Sequence, residues 1–144
     1  MFKSILVAVD PSPARHCAVR TAGELARLTG AEVHVVHVAA STIAWDTVVP
    51  LEEYPEADEI LKDVLGGLRE MGVAARGVTV DAMTRQIPSV ISLAVKEAGA
   101  DLVVLSPHHR GAVAAFFNPR VSDAVSHTSP VAVLLAPEAG PDQG

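Results

Sequence analysis

Aromatic side chains are nearly missing from this chain, which has three Phe, one Trp and one Tyr in 144 residues. The core must therefore be filled by Val, Leu, Ile and Ala, which suits strands and helices packed in layers. One cysteine, Cys17, excludes an internal disulfide and fits a reducing compartment. No apolar run approaches the roughly 18 residues of a membrane span, and Met1-Phe2-Lys3 enters the first apolar stretch too early for a cleavable signal. The expectation is a cytoplasmic protein with no membrane segment. Clustered Lys and Arg are also lacking, and the formal charge is −6, which argues against a general affinity for nucleic acid.

What is present alternates. Short β-rich runs are separated by longer helical ones, the pattern of βαβ units and a parallel sheet. Five strands are expected: Ser4–Val9, Glu32–Val38, Val73–Val80, Asp101–Leu105 and Pro130–Leu135. The first is apolar on both faces, as a strand covered by helices on each side should be. Between the first two, Ser12 caps a helix whose first residue is Pro13. Its stripe is Ala14, Ala18, Thr21, Ala22, Leu25 and Leu28, with Cys17 at the edge and Gly30 as the stop. Glu56–Met71 and Pro88–Glu97 read as further helices stopped by Gly72 and Gly99, and a short helix is expected at about Pro119–His127. Ala39–Pro55, with the only Trp and Tyr, reads as a long irregular segment, either a lid or mobile. One domain over residues 1–137 and a disordered tail over 138–144 complete the expected organisation.

A parallel sheet of this kind binds ligands beyond the carboxyl ends of its strands, where the strand order reverses. Asp10 follows the first strand directly. The segment 106–122 follows the fourth and reads Ser106-Pro-His-His-Arg-Gly-Ala to Asn118-Pro-Arg-Val-Ser122. Phosphate is cradled by glycines that let backbone N–H groups approach, followed by a helix N-terminus. This segment stands in the right place with few of those glycines.

Several motifs combine here: Ile5-Leu-Val-Ala-Val-Asp10 with Ser12, His34-Val-Val-His37-Val38, Gly99-Ala-Asp-Leu-Val-Val104, and Val121-Ser122 before Ser129-Pro-Val-Ala-Val133. Together they resemble the universal stress protein family along nearly the whole chain. The resemblance implies an open five-stranded parallel sheet in the order 3-2-1-4-5 with helices on both faces, of the adenine nucleotide alpha hydrolase-like type. It also implies homodimers through the last strand, 130–135.

Family members that bind ATP resemble one another in a Gly-x-x-Gly, nine-residue, Gly-Ser/Thr pattern. Aligned on Arg110-Gly111, its positions fall on Ser106, His109, Pro119 and Arg120, and all four depart from it. Pro119 has no N–H to donate, His109 and Arg120 add bulk where backbone should approach, and Ser106 restricts a turn that glycine would free. Each lost charge-assisted hydrogen bond costs roughly 1.5–3 kcal/mol, so two would weaken binding a hundredfold or more. The vestigial nucleotide site is thus Asp10, Val38, Ser106, His109, Arg110, Gly111, Arg120, Val121 and Ser122. No cofactor is expected through that loop, with ATP or AMP as the alternative. Asp10 fits an adenine or ribose edge, or an Asx turn. Val38 is placed to offer backbone to a base, or is an ordinary strand end. Arg110, Arg120 and Ser122 are the anion-binding candidates, against a plain solvated face.

Other constellations carry less. His108-His109 lack a second ligand cluster at metal spacing. His37 reads as a core histidine, Phe116-Phe117 as packing, and Cys17 as a quiet buried thiol. There is no Ser-His-Asp order, no paired carboxylates in a loop and no Gly-x-x-x-x-Gly-Lys-Ser/Thr run, so catalysis finds no support. A phosphorylated receiver domain, using Asp10 and Asp81, would need an acidic residue where Pro11 stands and a Lys where Ala136-Pro137 stand. An apolar last strand at a sheet edge invites aggregation unless it is covered, which favours a symmetric dimer. An unidentified protein partner remains the other expected contact, with Trp45–Tyr54 as its surface.

Overall fold

The computed structural model describes residues 2–9, 15–44, 46–50, 54–83, 86–106 and 131–136. The elements run β1 (Ser4–Val9), α1 (Arg15–Thr29), β2 (Glu32–Ala44), β3 (Thr47–Pro50), α2 (Tyr54–Glu70), β4 (Ala75–Met83), α3 (Ile87–Ala98), β5 (Leu102–Leu105) and β6 (Ala132–Leu135). The five parallel strands lie side by side in the order β4-β2-β1-β5-β6. This is the expected 3-2-1-4-5 arrangement once the additional antiparallel β3 is set aside.

Alternation along β1 divides the core. Ile5, Val7 and Val9 face α1 and α2, where they meet Ala18, Ala22, Ala26, Val64 and Leu68. Leu6 and Ala8 face α3 and join Val36, Val38, Ile87, Ile91 and Val95. β1 is buried throughout, as a strand sandwiched between helix layers should be. Gly30, Gly72 and Gly99 end the three helices at φ of +76°, +80° and +63°, where a Cβ would be strained.

Two expectations need correcting. Where it is described, Ala39–Pro55 is not irregular: β2 runs on to Ala44, β3 pairs back on it from Thr47 to Pro50, and Tyr54 opens α2. Asp46 takes φ +63° at the reversal, a conformation Asp tolerates better than most residues. Leu28 does not belong to the buried stripe of α1 and is 84% exposed, because the face that packs on the sheet runs through Ala18, Ala22 and Ala26, and Leu28, two residues past Ala26, turns well away from it. Cys17, at the edge of the stripe, is buried at 8% exposure. Element ends also move: the strand expected at 73–80 occupies Ala75–Met83, and the helix expected from Glu56 begins at Tyr54. The helix expected at 119–127 and the tail at 138–144 lie outside the described residues.

Candidate functional site

The strand order reverses at β1. From β1 the chain crosses through α1 to β2 and through α2 to β4, covering one face. It then returns across the other face through α3 to β5, on the opposite side of β1. The crevice therefore opens beyond the carboxyl ends of β1 and β5. Register fixes what borders it. Val9 pairs with His37, and continuing the Val7–Val104 alignment sets Ser106 level with Val9.

On the β2 side the crevice has an uncommon wall. Ser41 pairs with Met83 of β4 and also with Pro50 of β3. A strand has two edges, so β3 must lie along the edge that faces β1, beyond Val9. On that same edge β1 reaches only to His37 and β3 begins at Ser41. Among the described residues Val38–Ala40 therefore have no strand partner there, while their other edge is held by Val80–Ala82. Backbone N–H and C=O groups in such a gap are open to a ligand or to water. The side chain of Val38 is spent elsewhere, fully buried in the α3-side core.

Ser106 forms the β5 side. It is 2% exposed, and its Oγ makes no hydrogen bond among the described residues. A buried hydroxyl without a partner costs about 1–3 kcal/mol. Next to it the Ala136 N–H donates to the Leu105 carbonyl at 2.9 Å, closing the β5–β6 ladder. The structure thus brings Val38 and Ser106 to the two sides of the carboxyl end of β1. Asp10, His109, Arg110, Gly111, Arg120, Val121 and Ser122 lie outside the described residues, as do His108 and Phe116-Phe117. His37, level with Val9, is fully buried, as expected of a core histidine. Nothing in the residue types of β2 announced its unpaired edge; the nearest signal was the β-branched content of Ser41-Thr-Ile and Thr47-Val-Val around Asp46.

The opposite end of the sheet is sealed. The Asp101 carboxylate accepts from Lys3 N–H at 2.9 Å and from Ser4 N–H at 3.2 Å, while Asp101 N–H donates to the Ser4 carbonyl. Nearby on β2, Glu32 meets His34 at 3.0 Å and Arg76 at 3.8 Å. The hydrogen bond from His34, helped by its charge and that of Arg76, holds the Glu32 carboxyl below its ordinary pKa. A cleft of about 310 Å³ lies beside this cluster, between β2, β4 and α3; none of the candidate nucleotide-site residues lines it.

An open parallel α/β sheet with its crevice at the β1/β5 reversal defines a class of small ligand-binding folds. Comparison with known proteins makes the assignment narrower. The sequence model of the Universal stress protein family matches residues 1–137, and the chain belongs to that family. A universal stress protein of Mycobacterium tuberculosis is 31% identical over 92% of this chain. The chain spans 44% of the length of that relative. A universal stress family protein from Burkholderia pseudomallei has the same fold, with a TM-score of 0.71 at 24% identity over 94% of this chain and 96% of its own. So does the Archaeoglobus fulgidus universal stress protein in complex with dAMP, with a TM-score of 0.68 at 24% identity over 94% and 98%. Among the described residues no helix is long and apolar enough to cross a membrane.

Proposed function

We propose that this chain is a cytoplasmic, homodimeric universal stress protein that keeps the crevice of its family without the usual triphosphate-cradling loop. It acts without catalysis, by associating with a protein partner or by holding an altered ligand. The observation that carries this reading is the set of residues at the four cradle positions, Ser106, His109, Pro119 and Arg120. Glycine at those positions would leave backbone bare, whereas Pro119 removes a donor outright. Ser106 is buried, so its side chain occupies space at the crevice that a glycine would leave empty. The direct test is a calorimetric titration of the purified protein with Mg-ATP, after checking that no nucleotide co-purifies. Silence up to millimolar ATP is expected, and micromolar binding would refute the reading.

Dimerisation is supported by β6, which pairs with β5 alone among the described residues and leaves Leu135 51% exposed. Pairing with a second β6 across a two-fold axis would cover that edge. Sedimentation should show a dimer, and Leu135→Lys should shift it toward monomer.

A second reading, nucleotide binding through an altered loop, is favoured by the dAMP complex of the Archaeoglobus relative and by the unpaired edge at Val38–Ala40. In that case Arg110, Arg120 and Ser122 supply the anion contacts in place of glycine N–H groups. Replacing all three by Ala should then abolish AMP and ATP binding; unchanged affinity would remove this reading.

A further inference from the structure

The longer of the sheet's two outer parallel strands is β4, with nine residues against four in β6. It pairs with β2 from Ala75 to Met83 without a bulge, and with no other strand among the described residues. Val33 N–H donates to the Ala74 carbonyl, a register that turns the main-chain groups of Arg76, Val78, Val80 and Ala82 towards β2. Those of Ala75, Gly77, Thr79, Asp81 and Met83 turn outward. Side chains cap the two ends of this outer edge: Arg69 Nη2 donates to the Ala75 carbonyl at 3.3 Å, and Met83 N–H donates to Gln86 Oε1 at 3.1 Å. Between the caps, the main-chain N–H and C=O groups of Gly77 and Thr79 have no partner among the described residues.

Natural sheets blunt such edges with proline, lysine, a bulge or an inward charge. β4 has no Pro and no Lys, and its charged residues, Arg76 and Asp81, flank an uncharged run, Gly77–Val80. Apolar surface lies open beside that run on the α3 face. Val78 is 51% exposed, and Leu93 of α3 is 56% exposed. Leu93 stands one turn before Glu97, which lines the cleft of about 310 Å³ together with Val78, Ala94 and Ala98.

We infer that the outer edge of β4 is a docking surface for an extended segment of a protein partner, which joins the sheet as a further strand. Unused N–H and C=O groups repeating along a strand are matched by another extended backbone, and apolar surface beside the edge selects its side chains. A residue opposite Val78 points to the same face and rests on Val78 beside the cleft, so it is apolar. Two residues further on, opposite Arg76, an acidic side chain meets the guanidinium, whose approach to Glu32 is long at 3.8 Å. The inference rests on the partner-association arm of the function proposed above and not on the state of the crevice.

The probe is the fluorescein-labelled peptide Thr-Val-Thr-Leu-Thr-Glu-Thr, followed by fluorescence anisotropy on the intact protein. Paired antiparallel to β4, it sets its Leu opposite Val78 and its Glu opposite Arg76. Saturable binding of one peptide per chain is expected. N-methylation of the two Thr that flank the Leu blocks the N–H groups facing Gly77 and Thr79, and should weaken binding about tenfold or more. Thr79→Pro removes an outward N–H and spares the β2 ladder, and the Thr79 hydroxyl makes no hydrogen bond among the described residues. This variant should fold and lose the peptide. If it does not fold, Val78→Lys, at an exposed position, carries the test with an expected loss of about fivefold to tenfold. No saturable binding up to millimolar peptide, equal binding of the N-methylated peptide, or unchanged affinity in a folded Thr79→Pro or in Val78→Lys would each overturn the assignment. So would a parent tetramer that Thr79→Pro reduces to a dimer in sedimentation, because a second copy of the chain would then occupy the edge. The Mg-ATP titration reads the crevice and not β4, so failure here and failure of the proposed function are told apart.

Discussion

The two ends of the parallel sheet are built on opposite rules. At the amino end, one carboxylate, Asp101, accepts from two backbone N–H groups of the neighbouring strand and donates its own N–H in return. The Gly99 cap and the Ala100 N–H, bonded to the Val95 carbonyl at 3.0 Å, finish the helix just before it. At the carboxyl end, among the described residues, the β1-facing edge of β2 is unpaired between Val38 and Ala40 and the buried Ser106 hydroxyl has no partner. Among the described residues the same strands thus end in satisfied hydrogen bonds on one side and in unused ones on the other.

The largest effect should come from the sealed end. Asp101→Ala leaves two N–H groups of β1 without their acceptor and should lower stability by about 2 kcal/mol in chemical denaturation. A loss under about 0.5 kcal/mol would erase the contrast. Next in size, Gly77→Ala, in the middle of β4, tests whether the edge half of the sheet is as tightly packed as its centre. A Cβ there would stand 2.9 Å from the Val35 carbonyl and 2.8 Å from Leu61 Cδ1. Overpacking against backbone should cost about 1–2 kcal/mol, and an unchanged midpoint would show that α2 yields freely.

At the open end the sign reverses. Ser106→Ala removes a polar group that is buried and unsatisfied among the described residues, so stability should rise by up to about 1 kcal/mol. A loss of that size would mean the hydroxyl is engaged. The smallest effect concerns Glu32, whose carboxyl is held below its ordinary pKa by the hydrogen bond from His34. A depressed carboxyl contributes stability that is present above the unfolded pKa and lost as pH falls through the folded one. The difference in stability between the parent and Glu32→Gln should therefore be constant above about pH 5 and shrink in more acidic solution. Because the carboxylate is exposed, added salt should reduce the difference.

Much of this architecture was legible in the residues. The parallel sheet follows from βαβ alternation, its strand order was what the family resemblance implied, and the helix stops at Gly30, Gly72 and Gly99 match their positive φ values. The hairpin was missed for a physical reason. Ala39–Pro50 contains small residues and a turn without glycine, so neither alternation nor turn chemistry singled it out. Leu28 fitted the expected stripe, but the face that packs on the sheet runs through Ala18, Ala22 and Ala26 and turns away from Leu28. As for the site, Val38 and Ser106 could be placed beside β1 from motif and order alone. The unpaired edge between them is a matter of register between three strands, which no single stretch of sequence encodes.

The central claim is that the crevice persists while its triphosphate chemistry has gone, and restoring that chemistry tests it most directly. Mg-ATP should be titrated into the parent protein and into the variant Ser106→Gly, His109→Gly, Pro119→Gly, Arg120→Ser. The account predicts silence in the parent up to millimolar ATP and micromolar binding in the variant. Micromolar binding by the parent, or a folded variant that binds no better than the parent, would contradict it.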